Sequence, residues 1–394
     1  MFAANGGIVR YRGIISAQRL FPRWGVIAMV VGTVAVAAPA GSATQPVHMF
    51  LYAVTCPSMS NCIAAGTYRL GDTGNVVPGV AQWNGTKWTT TAVPVPPDPP
   101  SSKGDSRSHG TLYGVACANT TTCFAVGSYT ILQRVRALID RWDGKHWVLA
   151  ARPRPAGATS SELRAVSCAS PSSCVAVGTA TVTGSGVRTF AAHWNGAQWS
   201  VTPTPSRNHA RLNELDGVSC ATATNCFAVG TYEGTRGQPL VEHWDGTSWS
   251  LVAPAAASGV LRSVSCISAT SCYAAGTPPS YGKVLIERWN GTTWSIANAA
   301  KPGQSEDIID LYAVSCAGPN QCFATGGYQG PHGRAPLFER WDGLHWKPAP
   351  ASGRAVRYEM HGVACRSATF CVAVYGSVVD RWNGSTWAVD RSAP

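Results

Sequence analysis

The sequence predicts an all-β protein, a seven-bladed β-propeller with four antiparallel strands in each blade. Two patterns carry this prediction: cysteine pairs with five intervening residues and tryptophan pairs with four intervening residues alternate strictly along the chain. Seven copies of one small sheet-forming unit bury their hydrophobic faces by radial stacking. The cysteine pairs are Cys56/Cys62, Cys117/Cys123, Cys168/Cys174, Cys220/Cys226, Cys266/Cys272, Cys316/Cys322 and Cys365/Cys371.

The first two strands of each repeat are short and apolar. In the fourth repeat they read "LDGVSC" from Leu215 and "CFAVG" from Cys226, and small polar residues separate the two cysteines. Such runs, bounded by turn residues, are typical of strands buried on both faces. The repeats predict a propeller over residues 44–394, with blades starting near residues 51, 112, 163, 215, 261, 311 and 360.

The third and fourth strands flank the turn that carries the tryptophans. Asn-Gly or Asp-Gly follows the first tryptophan of every pair, and both dipeptides favour a two-residue hairpin turn. That turn would pair Trp244 with Thr247 and place both tryptophans of the blade on one face. We interpret the tryptophans as packing against the neighbouring blade rather than stacking sugars.

An acid stands two residues before the first tryptophan in five repeats, and an arginine directly precedes that tryptophan in four. Successive strand residues point to opposite faces, so we expect acid and arginine to pair across blade interfaces. The acids are Asp140, Glu242, Glu287, Glu339 and Asp380, and the arginines are Arg141, Arg288, Arg340 and Arg381.

The order of elements within a repeat resembles that of kelch repeats. The stretch "CFAVG…VEHWDGTSWSLVAP" carries the resemblance, which extends over residues 51–390. The chain departs from the kelch pattern in having one glycine in place of a pair and in its cysteines. The tryptophan turn is also weakly similar to the Asp-box of sialidases, although its spacing differs. Both resemblances imply propeller architecture and no particular function.

The first 43 residues contain four arginines and no acid before or within an apolar run that ends in small residues. This pattern predicts a secretory signal peptide over residues 1–43, cleaved between Ala38 and Thr44. The alternative is an uncleaved membrane anchor facing outside. Cysteine pairs at a fixed short spacing in an exported chain indicate local disulfides, one in each hairpin, rather than zinc sites.

The net charge and the motifs that the sequence lacks limit the classes of partner and of activity that we expect. The formal net charge is +11, without a lysine or arginine block, which favours association with anionic surfaces or wall polymers and not nucleic acid. The histidines do not cluster, so we expect no metal and no cofactor. No catalytic motif is present. Loop acids are available for a glycosidase, namely Asp72, Asp105, Glu233, Glu306, Asp307 and Asp310.

One position of the first strand differs in chemistry from repeat to repeat, although its neighbours are nearly constant. It lies innermost in a blade, next to the face that carries the variable loops, and we call its seven occupants the channel residues. They are Tyr52, Tyr113, Arg164, Asp216, Arg262, Tyr312 and His361. Four tyrosines near the end of the second strand are candidates for an outer aromatic rim: Tyr68, Tyr129, Tyr232 and Tyr328.

These observations predict a secreted, monomeric propeller that binds a glycan, a cell-wall polymer or a protein through its loop-bearing face. An enzyme acting on polysaccharide, a glycosidase or a lyase, is the first alternative, with its site on the same face. A structural scaffold without a small ligand is the second. For the channel residues, the competing interpretation is a hydrated set of paired charges, such as Asp216 with Arg164 or Arg262.

Overall fold

Seven antiparallel sheets follow one another along the chain, each built from consecutive strands, as the repeats predict. The computed structural model describes residues 48–70, 75–96, 109–207, 210–233, 237–300, 309–330, 333–352 and 359–393. These described residues belong to one compact unit and contain no α-helix. The predicted signal peptide or anchor at residues 1–43 lies outside them. Within the described part of the chain, no helix is long and apolar enough to cross a membrane.

The strand bounds follow the cysteine and tryptophan positions. Blades 1 to 3 are β1–β4 (His48–Ser58, Asn61–Leu70, Asn75–Trp83, Trp88–Ala92), β5–β8 (Gly110–Asn119, Thr122–Ile131, Arg134–Trp142, Trp147–Ala151) and β9–β12 (Ala158–Ser170, Ser173–Val182, Gly186–Trp194, Trp199–Thr202). Blades 4 and 5 are β13–β16 (Asn213–Thr222, Asn225–Tyr232, Gln238–Trp244, Trp249–Val252) and β17–β20 (Val260–Ser268, Ser271–Thr277, Leu285–Trp289, Trp294–Ile296). Blades 6 and 7 are β21–β24 (Ile309–Gly318, Gln321–Gly330, Gly333–Trp341, Trp346–Pro348) and β26–β29 (Gly362–Ser367, Phe370–Tyr375, Val378–Trp382, Trp387–Val389).

The last blade closes the propeller against the first without exchanging a strand with it. Blade 7 takes all four antiparallel strands from its own repeat and adds the short parallel strand β25, Ala351–Ser352, at its outer edge. The Leu51 N–H donates to the Gly376 carbonyl at 2.8 Å. Met49 and Leu51 share one hydrophobic cluster with Val374 and Val379. Side-chain packing between blades 1 and 7 therefore completes the circle.

The cysteine pairs form the predicted disulfides. Each of the seven joins the two strands of its own hairpin, and no free cysteine occurs among the described residues. Such a cross-link restricts the unfolded chain and thereby stabilises the folded protein by about 2 kcal/mol in the chain-entropy model. The disulfides fix the inner hairpin of each blade.

The two cysteines of a pair differ in their surroundings. The first cysteine of every pair is partly buried. The second is at most 1% exposed and belongs to one of the seven hydrophobic clusters of the propeller. These second cysteines are Cys62, Cys123, Cys174, Cys226, Cys272, Cys322 and Cys371. A sulfur atom this deeply buried cannot contact a ligand, so the second cysteine of each pair is part of the core and not of an exposed functional site.

The tryptophan turn is longer than we predicted. Trp244 pairs directly with Trp249, and the Asp245 N–H donates to the Ser248 carbonyl at 3.2 Å, so four residues connect the strands. The Asp245 carboxylate accepts the N–H groups of Thr247 at 2.7 Å and Ser248 at 2.8 Å. A side chain that caps its own turn stabilises this longer connection, which the Asp-Gly signal alone does not distinguish from a two-residue turn.

The tryptophans pack into the neighbouring blade, as we interpreted them. Phe124 of blade 2 contacts Trp194 and Trp199 of blade 3, with ring centroids 5.2 and 5.0 Å apart. Phe227 of blade 4 contacts the pair of blade 5 in the same way. Edge-to-face contacts of this kind add to the energy of area burial, so the blade interfaces are the main hydrophobic cores.

The acids before the tryptophans are buried in these interfaces. Asp140, Glu242, Glu287 and Glu339 are all 0% exposed, and Asp380 is 6% exposed. Burial raises the pKa of Asp140, Glu242 and Glu339 to about 8, because the charged form loses its hydration. These carboxyl groups are therefore neutral over the acidic and neutral range.

The predicted pairing of these acids with the adjacent arginines is wrong. Among the described residues, no salt bridge joins Arg141, Arg288 or Arg340 to those acids. Arg141 and Arg340 instead stack on the first tryptophan of the next blade, with the guanidinium carbon 5.4 and 5.3 Å from the ring centroid. Stacking keeps the guanidinium near solvent, whereas pairing would bury its charge.

A serine beside the cysteine links the first strands of successive blades. In four blades its hydroxyl oxygen accepts a hydrogen bond from the N–H of the next blade's first cysteine; Thr55, Ala116 and Ala364 stand at this position in blades 1, 2 and 7. These bonds hold the inner strands at fixed spacing around the channel. They run from Cys220 to Ser167 (3.0 Å), Cys266 to Ser219 (2.9 Å), Cys316 to Ser265 (3.1 Å) and Cys365 to Ser315 (2.9 Å).

Candidate functional site

All seven channel residues line one central cavity of about 150 Å³. Every blade contributes three consecutive residues to it, a channel residue, a small residue and then a valine, as in Tyr52, Ala53 and Val54. The channel side chains are half-buried in all seven blades. The cavity is therefore lined by aromatic and charged side chains at the channel residues and by small and apolar side chains at the two positions that follow. The position singled out for its variable chemistry converges on one axis.

A β-bulge directs these side chains into the channel. In blades 1 to 6 the register between the first two strands skips one residue, and the skipped residue is the channel residue. In blade 4, for example, Leu215 and Gly217 are paired while Asp216 is not. The extra residue of a bulge is released from the ladder and its side chain is re-aimed.

The glycine that ends the second strand makes room for the bulge. A Cβ at Gly230 would lie 2.0 Å from the Glu214 carbonyl oxygen, and the corresponding glycines of the other five bulged blades are equally close to the first strand. Blade 7 has Tyr375 at this position and its first strand starts only at Gly362. The Tyr375 ring instead packs on His361 at 4.8 Å.

The channel residues contact one another around the axis. Aromatic rings form one side and charged groups the other. The neighbouring contacts are Tyr52–Tyr113 (6.0 Å between centroids), Arg164 over Tyr113 (5.8 Å), Arg164–Asp216 (3.8 Å), Arg262 over Tyr312 (5.3 Å), Tyr312–His361 (4.6 Å) and His361–Tyr52 (6.0 Å). The ion pair between Arg164 and Asp216 agrees with the competing interpretation of paired charges.

Asp216 lies in a mixed electrostatic environment. Burial raises the pKa of its carboxyl to about 6, against the opposing positive charges of Arg164 and Arg262. Arg164 also forms a 2.7 Å salt bridge with Glu162. Arg262, in contrast, donates from Nε to the Thr277 hydroxyl at 3.2 Å, and none of the salt bridges among the described residues includes it. Arg262 is therefore the channel arginine with the most donors available to a ligand.

A group of four acids flanks the channel, and only Asp310 among them was predicted as a candidate site residue. Glu162, Glu214, Asp310 and Glu359 each stand two residues before a channel residue, a regularity that the repeat alignment contains. On one side, Arg334 forms salt bridges with Glu359 and, at 3.3 Å, with Asp310. Four of the seven blades thus add a carboxylate above the channel residues.

The four rim tyrosines do not form one exposed surface. Tyr129 is 5% exposed and belongs to the hydrophobic core between blades 1 and 2. Tyr68, Tyr232 and Tyr328 are partly buried and pack against three different interface cores. Tyr232 also donates a hydrogen bond to the Gln238 side chain at 2.5 Å. The four rings pack between blades. Tyr129 in particular is too deeply buried to belong to a continuous aromatic rim.

Most of the predicted loop acids lie outside the described residues, namely Asp72, Asp105, Glu306 and Asp307. Glu233 is described, and its carboxylate accepts the Arg211 N–H at 3.0 Å. In the part of the chain that the structure describes, no three histidine, cysteine or acidic side chains are grouped as a metal site requires.

In comparisons with known proteins, the fold of this chain has matches among solved structures, whereas its sequence has none among family models or curated proteins. The GH74 xyloglucanase from Xanthomonas campestris superposes with a TM-score of 0.57 at 16% identity, over 87% of this chain and 55% of that one. The WD40 propeller domain of Doa1 gives 0.51 at 10% identity, over 89% and 97%. YCF48 bound to D1 peptide gives 0.50 at 12% identity, over 86% and 91%.

The chain spans just over half the length of the xyloglucanase and nearly all of the other two chains. Identities this low relate the proteins by architecture, which different functions share. The kelch-like assignment keeps the support of the repeat pattern alone. The chain is a seven-bladed β-propeller.

Proposed function

We propose that this propeller is a binding module that recognises a surface glycan at its central cavity. The observation that carries the proposal is the convergence of seven chemically varied, half-buried side chains on one cavity, at a strand position whose neighbours are uniform. Packing alone would select uniform residues, as it does at the tryptophans. Variation confined to the cavity-lining position is what recognition of an asymmetric ligand requires.

The chemistry of the cavity suits a sugar. Tyrosine and histidine faces on one side offer apolar contact to the C–H groups of a pyranose ring, and Arg262 and Asp216 on the other side offer a hydrogen-bond donor and an acceptor to its hydroxyls. A volume of about 150 Å³ is smaller than a typical ligand pocket. One terminal unit of a glycan would enter, and the variable loops would contact the units that follow.

The test begins with the purified propeller on a panel of glycans and cell-wall polymers. For a glycan that binds, we expect Arg262→Ala to weaken affinity at least tenfold, because Arg262 holds the uncommitted donors. Arg366→Ala is the matched control, since Arg366 is exposed beside the cysteine hairpin, away from the cavity lining. Equal affinities of wild type and Arg262→Ala, with the fold intact, would place the binding site elsewhere.

A polysaccharide-cleaving enzyme is the second candidate, and one observation favours it. Glu162 and Asp216 both contact Arg164, so two carboxyl groups meet beside the cavity, and burial raises the pKa of Asp216 to about 6. A glycosidase needs a protonated acid and a second carboxylate at suitable separation. Release of reducing ends from a polymer panel, lost in Asp216→Asn, would support this candidate; no release from any polymer would exclude it for that panel.

We also propose that the protein acts outside the cell, as a monomer. Seven disulfides fit an oxidising compartment. N-terminal sequencing of secreted protein should find a start between residues 38 and 44. Recovery of full-length protein in the membrane fraction would indicate an anchor instead.

A further inference from the structure

Six of the seven blade interfaces share a plan in which the preceding blade covers the first tryptophan of the next one. A cationic, imidazole or aromatic group lies over that tryptophan in six interfaces, which completes its packing. The six contacts are Arg381–Trp83 (3.8 Å), Arg141–Trp194 (5.4 Å), His193–Trp244 (4.2 Å), Phe227–Trp289 (5.0 Å), Tyr273–Trp341 (5.6 Å) and Arg340–Trp382 (5.3 Å).

The interface between blades 1 and 2 departs from this plan. Gln82 stands where other blades carry arginine or histidine, and Ile63, its partner on the adjacent strand, stands where most carry an aromatic residue. Among the described residues, the only aromatic ring or cation in contact with Trp142 is Trp147, its own blade's second tryptophan, at 5.8 Å. Trp142 is half-buried, as is Trp289, whereas the other five first tryptophans are at most 8% exposed.

A cavity of about 430 Å³ occupies this interface. Residues of the third and fourth strands of blade 1 line one side, including Gln82 and Thr91, and the tryptophan hairpin of blade 2 lines the other with Trp142, Lys145 and His146. It shares no lining residue with the central cavity. An indole, an amide, a hydroxyl and two basic side chains therefore converge at the place where, in the other six interfaces, a side chain of the preceding blade covers the first tryptophan.

The charges decide what this cavity can hold. Lys145 and His146 are exposed. The nearby Asp143 carboxylate is directed into its own turn, where it accepts the N–H groups of Lys145 at 2.7 Å and His146 at 2.8 Å. A cationic ligand would be repelled by Lys145, whereas an anionic group would be attracted by it. The indole face carries negative charge density and attracts the C–H face of a sugar ring.

We propose that this cavity, the Trp142 cavity, binds the uronic acid unit of an acidic polysaccharide. The pyranose ring stacks on Trp142 in the place that an arginine or aromatic side chain takes at the other interfaces. Its carboxylate pairs with Lys145, and its hydroxyls bond to Gln82 and Thr91. The inference does not rest on the function proposed for the central cavity.

The decisive variant is Gln82→Arg, which supplies the side chain that covers tryptophan in the blade 7–blade 1 interface. It should fill the cavity while leaving the thermal midpoint equal to or above that of wild type. Lys145→Ala removes the charge that pairs with the carboxylate. Lys87→Ala is its matched control, because Lys87 is an exposed lysine in the equivalent hairpin of blade 1 and does not line the cavity.

The probes are a tetrasaccharide of glucuronic acid and a tetrasaccharide of glucose, titrated by calorimetry into the whole protein. We expect saturable binding of the glucuronate, at least tenfold weaker in Gln82→Arg and in Lys145→Ala, and unchanged in Lys87→Ala and in Arg262→Ala. Absence of saturable glucuronate binding, equal affinity for glucose, or undiminished binding by Gln82→Arg would each overturn the proposal. Loss of binding in Arg262→Ala would assign the glucuronate to the central cavity and overturn it as well.

Discussion

Replacing Glu242 by glutamine tests whether the acids between blades are protonated in the folded protein. Glu242 is 0% exposed, and burial raises its pKa from 4.5 to about 8. Between these two pH values the unfolded chain has released a proton that the folded protein retains. Stability must therefore fall as pH rises through that window, and glutamine, which does not titrate, removes this contribution.

The size of the effect follows from the two pKa values. Each pH unit between them contributes about 1.4 kcal/mol, so the full window is worth at most about 5 kcal/mol for one carboxyl group. We expect Glu242→Gln to match wild type near pH 5 and to exceed its free energy of unfolding by at least about 2 kcal/mol at pH 8. The expected difference of about 2 kcal/mol is smaller than the upper limit of about 5 kcal/mol because water that reaches the ionised group reduces the cost of its burial.

The assay is urea unfolding at pH 5, 6, 7 and 8 with the disulfides intact. Asp245→Asn is the matched control, because it makes the same acid-to-amide replacement in the same blade. Turn N–H groups hold the pKa of Asp245 below its ordinary value, so that carboxylate is ionised throughout this range in both states. Its variant should run parallel to wild type. A parallel curve for Glu242→Gln would refute the reasoning, since it would mean that Glu242 is ionised in the fold.

Three further predictions concern the architecture. Gly230→Ala should destabilise the protein by about 3 kcal/mol or more in urea unfolding, because the new Cβ would lie 2.0 Å from the Glu214 carbonyl oxygen. Its control is Gly318→Ala, which has open space around it and should change stability by less than about 0.5 kcal/mol. Ser219→Ala should lose about 1 kcal/mol with its bond to the Cys266 N–H, and no loss would show that water replaces the hydroxyl. Peptide mapping without reduction should recover seven disulfides, each within one hairpin, and a link between blades would contradict the fold.

The sequence predicts the architecture well because its strongest signals are local. A cysteine pair or a tryptophan pair closes a hairpin within a few residues, and seven repeats of that hairpin leave few alternatives to a propeller. The errors arose where one local signal fits two geometries. Asp-Gly suits both a two-residue turn and the four-residue turn that Asp245 caps, and only the pairing of Trp244 with Trp249 distinguishes them.

The site was predictable only in part. Variation at one otherwise regular strand position identified the channel residues, because a position freed from packing is free to differ. The Trp142 cavity gave only an incomplete signal: Gln82 departs from the arginine or histidine of the other repeats, but the sequence does not show that this residue of blade 1 lies opposite a tryptophan of blade 2. The stacking of arginine on tryptophan was missed for the same reason: Arg141 contacts Trp194, a partner in the next repeat.

The continuity of each blade has a consequence for how the gene can be rearranged. Every sheet is one uninterrupted segment, and blades 1 and 7 meet by packing and the bond from Leu51 to Gly376 rather than by a shared strand. A circular permutant that joins the two ends of the propeller and opens the connection at residues 253–259 would retain every sheet intact. Whole blades are in this sense units of inheritance, which duplication can add and recombination can exchange without dividing a sheet.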